Sequence, residues 1–351
     1  MKTKYLICNL GILAMALCLS GCAEESLKDL LVDQPVTIVI GNKRILTVNS
    51  IPEGVSIPQS EVKWSSENPL IAIVNDFGLM EAVEAGSTNI LASYNGITKT
   101  IPVTVTDPII LPPRKASWLF DDPGDLLKSE IPGASLTYAK GGGGKANLCP
   151  FEVPTLDISG FSAVAGPQSG NGAIKVKIGY SLLVDHGIAP NGGGSRVNEY
   201  TLMWNLKYLD GPRVDSWKAL TQTNPVNNGD ADLFINNKNT GGGPNVGSSG
   251  DLLVVDTWHT LVISCKGGPD GYMRAFLNGT QIGERTTGDL TTVDNERSTF
   301  APTFLLFADG DNDDPVEEAE FDVAEFAMWD TALDAQQVKK LDRLLGKGIR
   351  P

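Results

Sequence analysis

Histidine is nearly missing from this chain of 351 residues: His186 and His259 are the two it has. A multi-histidine metal centre is thereby excluded. Cations are scarce as well, 28 Lys and Arg against 42 Asp and Glu, for a formal net charge of −14. With no excess of basic side chains to displace counterions, nucleic acid and anionic membrane surfaces are excluded as partners. Charged residues amount to only 20%, too few for a coiled coil or a charged tail. Nucleophile elbows, phosphate-binding glycine loops and zinc-ligand spacings do not occur. Helical hydrophobic periodicity is missing before residue 331. What is abundant is punctuation: 38 glycines and 21 prolines separate short β-branched runs, the pattern of sandwiches with many turns. The length predicts about two domains.

The N-terminus sets the compartment. Lys2 and Lys4 precede an apolar stretch, Tyr5 to Leu19, too short for a comfortable membrane span. It runs into Leu19-Ser20-Gly21-Cys22, which resembles the lipobox of bacterial lipoproteins. The resemblance implies a signal peptide over 1–21, cleavage before Cys22 and a diacylglycerol on its thiol. A plain secretory signal with an incidental cysteine is the alternative. Ala23-Glu24-Glu25-Ser26 resembles the surface-export signal of Bacteroidetes lipoproteins, which implies a lipid-anchored protein on the outer face of the outer membrane, with 22–32 as a tether. Loss of Lys2 and Lys4 would shift the net charge from −14 to −16. Of the five cysteines, Cys8 and Cys18 leave with the signal, and Cys149 and Cys265 remain beyond Cys22. They either pair in an oxidising compartment or stay as two buried thiols.

Residues 33–107 read as a first, small sandwich with strands at 36–40, 44–50, 62–65, 72–74, 78–82, 89–94 and 99–105. Trp64-Ser65-Ser66-Glu67-Asn68-Pro69, Ala72-Ile73-Val74, Phe77-Gly78-Leu79, Glu84-Ala85-Gly86 and Val103-Thr104-Val105 resemble the motifs of group 2 bacterial Ig-like domains. In that pattern Trp64 is core, and the domain is a spacer. Asp107-Pro108-Ile109-Ile110-Leu111-Pro112-Pro113 reads as a semi-rigid linker over 108–114.

Residues 115–351 suit one large jelly-roll sandwich. Its last element is a helix. Asp334 caps it, Gln337 completes a capping box, Val338, Leu341 and Leu345 fall on one face, and Gly346 supplies the stop. Ala116-Ser117-Trp118-Leu119-Phe120, Thr257-Trp258-His259-Thr260-Leu261-Val262, Arg274-Ala275-Phe276-Leu277-Asn278-Gly279 and Phe321-Asp322-Val323-Ala324-Glu325-Phe326-Ala327-Met328-Trp329 resemble laminin-G-like, concanavalin-A-like domains of secreted bacterial proteins. Asn278-Gly279 provides the positive φ angles of a tight hairpin turn. The fold class is therefore all-β: a small Ig-like sandwich, then a large concanavalin-A-like jelly roll with a short C-terminal helix.

Four places carry candidate chemistry. Asp309, Asp311, Asp313 and Asp314 gather oxygen ligands suited to calcium at a sandwich rim; a solvated acidic turn is the alternative. The spacing from Asp309 to Glu320 resembles an EF-hand loop, but Asp314 stands where glycine is needed and a strand follows, so that motif is rejected. Glu320-Phe321-Asp322-Val323-Ala324-Glu325 resembles the Glu-x-Asp-x-x-Glu signature of laminarinase-type glycoside hydrolases, in which the outer glutamates form a retaining pair about 5 Å apart. Strand alternation puts Glu320 and Asp322 on one face and Glu325 on the other, and only a β-bulge would bring Glu325 round. Phe321, Ala324 and the place of the motif in a closing strand also depart from the hydrolase pattern, so the stretch reads as structural and the protein as not an enzyme. His186 and His259 read as packed, hydrogen-bonded side chains. Trp118, Trp204, Trp258 and Trp329 read as core; Trp217, among polar neighbours, is the candidate sugar-stacking residue, with edge packing as the alternative.

The reading of the sequence is a non-catalytic cell-surface glycan-binding lipoprotein, a polysaccharide-capture component whose partner is a glycan and whose sole expected cofactor is calcium. The rivals are a protein-binding adhesion or scaffold component, and a hydrolase acting through Glu320 and Glu325.

Overall fold

The structure, a computed structural model, describes residues 26–139, 158–210, 217–222, 233–235, 246, 252–287, 298–308 and 319–350. The chain divides into two compact units between Pro108 and Ile109.

The first unit contains β1 (Asp29–Val32), β2 (Val36–Val39), β3 (Lys43–Ile45), β4 (Val48–Ile51), β5 (Lys63–Ser66), β6 (Ala72–Val74), β7 (Leu79–Ala82), β8 (Gly86–Tyr94) and β9 (Ile97–Thr106). One sheet runs β2-β9-β8-β5, a second β3-β7-β6, and β1 pairs with β4. Alternation along β9 buries Ile101, Val103 and Val105, which meet Met80, Ala82 and Ile90 in the core. Two local readings of the sequence change. The run 44–50 is not one strand, because the chain switches sheets between β3 and β4. Asp29–Val32, placed in the tether, pairs antiparallel with Val48–Ile51; its Leu-Leu-Val run gains ladder bonds and a buried Leu30. Gly78 holds a φ of +75°, and a Cβ there would lie 2.9 Å from Cζ2 of Trp64. Trp64 itself is half-buried.

The second unit contains β10 (Ala116–Trp118), β11 (Ser135–Ala139), β12 (Phe161–Ala165), β13 (Gly172–Val176), β14 (Ser181–Asp185), β15 (Tyr200–Tyr208), β16 (Lys218–Gln222), β17 (Leu233–Ile235), β18 (His259–Lys266), β19 (Tyr272–Leu277), β20 (Thr280–Thr286), β21 (Thr303–Leu306), β22 (Phe321–Trp329) and α1 (Ala335–Gly346). Two sheets form the sandwich: β12-β13-β22-β15-β18-β19-β20, with β10 also on β22, and β11-β14-β21-β16-β17. Their inner faces bury an apolar layer that includes Trp118, Trp204, Phe304 and Phe326, with Trp118 stacked on Phe326 at 5.8 Å.

The outer face of the larger sheet is apolar at one end, where Met203, Val262, Phe276 and Trp329 meet Val338, Leu341 and Leu345 of α1. The capping box forms as read: the Asp334 side chain accepts from Gln336 and Gln337 N–H, and the Gln337 side chain accepts from Asp334 N–H. Gly346 is the final helical residue rather than the stop. The positive φ, +73°, falls at Gly348, whose N–H donates to the Leu345 carbonyl.

Candidate functional site

β22 carries the hydrolase-like motif, and its register decides what the motif can do. Asn205 of β15 faces Glu325, and the next residue, Leu206, faces Val323. Ala324 is therefore an extra residue, a β-bulge. Phe321, Val323, Phe326 and Met328 point into the sandwich core, which leaves Asp322 and Glu325 on the same outer face. The alternation argument from sequence, which set Glu325 on the face opposite Asp322, is thus corrected. Bulges are not encoded by period-2 patterning, and alanine is small enough to take the extra position unremarked.

Sharing a face does not free the carboxylates. Asp322 lies between Lys175 Nζ at 3.1 Å and Lys207 Nζ at 2.9 Å. Glu325 is 1% exposed. Its Oε1 is 2.6 Å from Arg114 Nη1 and its Oε2 is 3.6 Å from Arg350 Nε. Burial pushes the Glu325 carboxyl above the ordinary glutamate range, while the two guanidiniums pull against it. Arg350 also pairs with Asp121, and the Arg114 guanidinium sits 5.5 Å from the centre of the Trp329 ring. The acid/base carboxylate of a retaining pair, the place Glu325 takes in the motif, must be free to pass a proton to the glycosidic oxygen. Here both oxygens of Glu325 lie within ion-pair distance of guanidiniums held by the protein, which ties the segment before β10, the closing strand and Arg350 together; Glu320 stands half-buried just before β22.

Both histidines are packed as read from sequence. His186 Nε2 is 2.7 Å from the Ala301 carbonyl, and its Nδ1 accepts the Ile188 N–H at 2.9 Å. His259 Nε2 accepts the Val254 N–H at 3.0 Å. Burial lowers both imidazoles below their usual range. Neither has a nucleophile as hydrogen-bond partner. Cys265 is a free, fully buried thiol, pushed by burial up to about 12. Cys149 lies outside the described residues, as do Cys22, Asp309, Asp311, Asp313 and Asp314. Among the described residues no three His, Cys, Asp or Glu gather as a metal site.

Of the tryptophans, Trp118, Trp204 and Trp329 are core. Trp258 is not: it is half-buried and lies under Lys207 Nζ, 5.2 Å from the ring centre. Trp217, just before β16, is 38% exposed and meets Phe234 edge-on at 5.8 Å. It combines edge packing with a surface still open to solvent. Sequence reasoning missed Arg114 and Arg350. A buried carboxylate demands cations, but nothing local names partners 211 and 25 positions away.

Two family models match the chain. Residues 30–105 match the model of the bacterial Ig-like domain, group 2. Residues 213–339 match that of the concanavalin A-like lectin/glucanases superfamily. A polysaccharide lyase 8 family protein of Enterococcus faecalis is 35% identical over 77 residues, 21% of this chain. The matched stretch spans only 6% of that relative. Among solved structures, the receptor-binding domain of botulinum neurotoxin type G aligns over 67% of this chain and 52% of its own, at 8% identity and a TM-score of 0.42. Domains 4 and 5 of the S-layer protein SbsC align over 23% of this chain and 53% of theirs, at 21% identity and a TM-score of 0.21. The chain thus carries a group 2 bacterial Ig-like domain followed by a domain of the concanavalin A-like lectin/glucanase type.

Proposed function

We propose that the protein is a non-catalytic glycan-binding component of a cell surface, held by a lipid on Cys22. The superfamily matched by the second unit holds both lectins and glucanases, so the choice between them rests on the carboxylates. The observation that carries the reading is Glu325, 1% exposed and charge-paired on both oxygens. A carboxylate so committed neither attacks a sugar nor protonates a leaving group. Binding needs no such residue. It needs aromatic surface for the C–H face of a sugar ring and polar groups for its hydroxyls. Trp217 offers part of the first.

A glycan array probed with the soluble chain from Ala23 tests the reading. Retention on a restricted set of neutral polysaccharides is expected, and no retention on any glycan overturns it. The lipid anchor is tested by Cys22→Ala: the variant should leave the detergent phase, and unchanged partition would remove the lipoprotein claim. A calcium ion on Asp309, Asp311, Asp313 and Asp314 would raise stability by about 2.7 kcal/mol at a hundredfold excess over Kd. Equal melting in calcium and in chelator would leave that loop a solvated turn.

A further inference from the structure

β11 ends the smaller sheet and β12 ends the larger one, so both are edge strands of the sandwich. A pocket of about 450 Å³ opens beside them, lined by residues of both and by the turn over 123–127. Tyr138 of β11 and Phe161 of β12 meet there with ring centres 4.5 Å apart. The edge of Phe161 is supported by Tyr180 at 5.5 Å, whose hydroxyl is 3.2 Å from Ser159 Oγ. Tyr138 and Phe161 are each only half-buried, so part of each ring faces the pocket. Asp125 and Ser162 are exposed on its rim. Burial, and after it the charge of the Asp125 carboxylate, hold the Tyr138 hydroxyl above the usual phenol range.

We infer that this edge pocket, formed by Tyr138, Phe161 and Asp125, is a subsite for a neutral pyranose unit of a saccharide chain. The volume lies within the span of small-molecule sites, about 300–1,000 Å³. Tyr138 and Phe161 supply the aromatic surface that the C–H face of a sugar needs. Asp125 is an acceptor for sugar hydroxyls, and the Tyr138 hydroxyl both donates and accepts. Among the described residues lining the pocket there is no Lys, Arg or His. The Asp125 carboxylate repels an acidic sugar and leaves a neutral one unopposed. A wholly apolar ligand would bury Asp125 unpaired. This inference rests on the glycan-binding reading and assigns it a place in the fold distinct from Trp217.

The test uses the soluble chain from Ala23 and short neutral gluco-, manno- and galacto-oligosaccharides, with oligogalacturonate as the acidic probe, read by isothermal titration. Ala163→Trp fills the pocket from an exposed position on β12 and should abolish binding while the melting temperature stays as in wild type. Asp125→Asn, also exposed, should weaken binding about tenfold through one lost charged hydrogen bond. Neutral sugars bound equally well by wild type and both variants would overturn the pocket and leave the glycan reading standing. Binding of oligogalacturonate alone would overturn the neutral class. No binding of any probe by wild type would overturn the pocket and the glycan reading together.

Discussion

Replacing Arg114 by methionine isolates the feature on which the functional reading turns. Arg114 is 8% exposed in its side chain and is the nearer of the two cations on Glu325, at 2.6 Å against 3.6 Å for Arg350. Removing one partner of a buried ion pair costs about 3–5 kcal/mol, because the other charge stays buried. Arg350 remains beside Glu325, so the lower end applies. For a unit of this size about 1 kcal/mol shifts the melting temperature by about 2–4 °C, so the second unit should melt about 6–12 °C lower. Differential scanning calorimetry of the soluble chain reads this directly. In the double variant Arg114→Met/Glu325→Leu most of the loss should return, since apolar replacement of a buried pair is often neutral; Arg350 keeps Asp121.

The pH dependence of the single variant has a definite sign. The Glu325 carboxyl already titrates above its ordinary range, and loss of Arg114 raises it further. A carboxyl raised in the folded state takes its proton there first. The variant's deficit should therefore shrink as pH falls through the raised pKa toward the ordinary carboxylate range. An Arg114→Met protein that melts with wild type at neutral pH would refute the reasoning. It would mean that Glu325 is not held by Arg114 and is open to other work.

Asp334→Ala should cost about 1 kcal/mol, the usual weight of an N-cap, because Gln336 and Gln337 N–H lose their acceptor; chemical denaturation measures it, and no loss would mean the cap is dispensable. His186 and His259 are both lowered by burial, so the unfolded chain binds protons first. Their stabilisation should be full above about pH 6.5 and fall away as pH drops below it, a slope that His186→Gln should reduce. Cys265, with its thiol pushed up to about 12, should react with a thiol reagent only in denaturant; modification mapped to Cys265 in the native protein, as distinct from Cys149, would contradict its burial.

Much of the scaffold was readable because local chemistry and long-range packing agree. The Asp334 to Gln337 capping box, the apolar stripe of α1 and the Asn278-Gly279 turn, with φ of +48° and +76°, are specified by a few adjacent residues. Trp118, Trp204 and Trp329 were legible as core from apolar strand context. Less legible were features set by partners distant in sequence. The bulge at Ala324 comes from how β22 must match β15, and no residue type announces it. The cations around Glu325 come from the start and the end of the second unit. Trp258 reads as core from its apolar run, yet it stands just before β18, half-buried beside Lys207. The pocket at Tyr138 and Phe161 exists because two strands separated in sequence each end a sheet, which is a property of topology.

The central claim is that the protein binds glycans without cleaving them. Incubation of the soluble chain with neutral β-glucans, with reducing ends and retained polysaccharide measured in the same sample, tests it most directly. Retention without release of reducing ends is the expected result. Reducing ends released by wild type and lost in Glu320→Gln would contradict it and make the protein an enzyme.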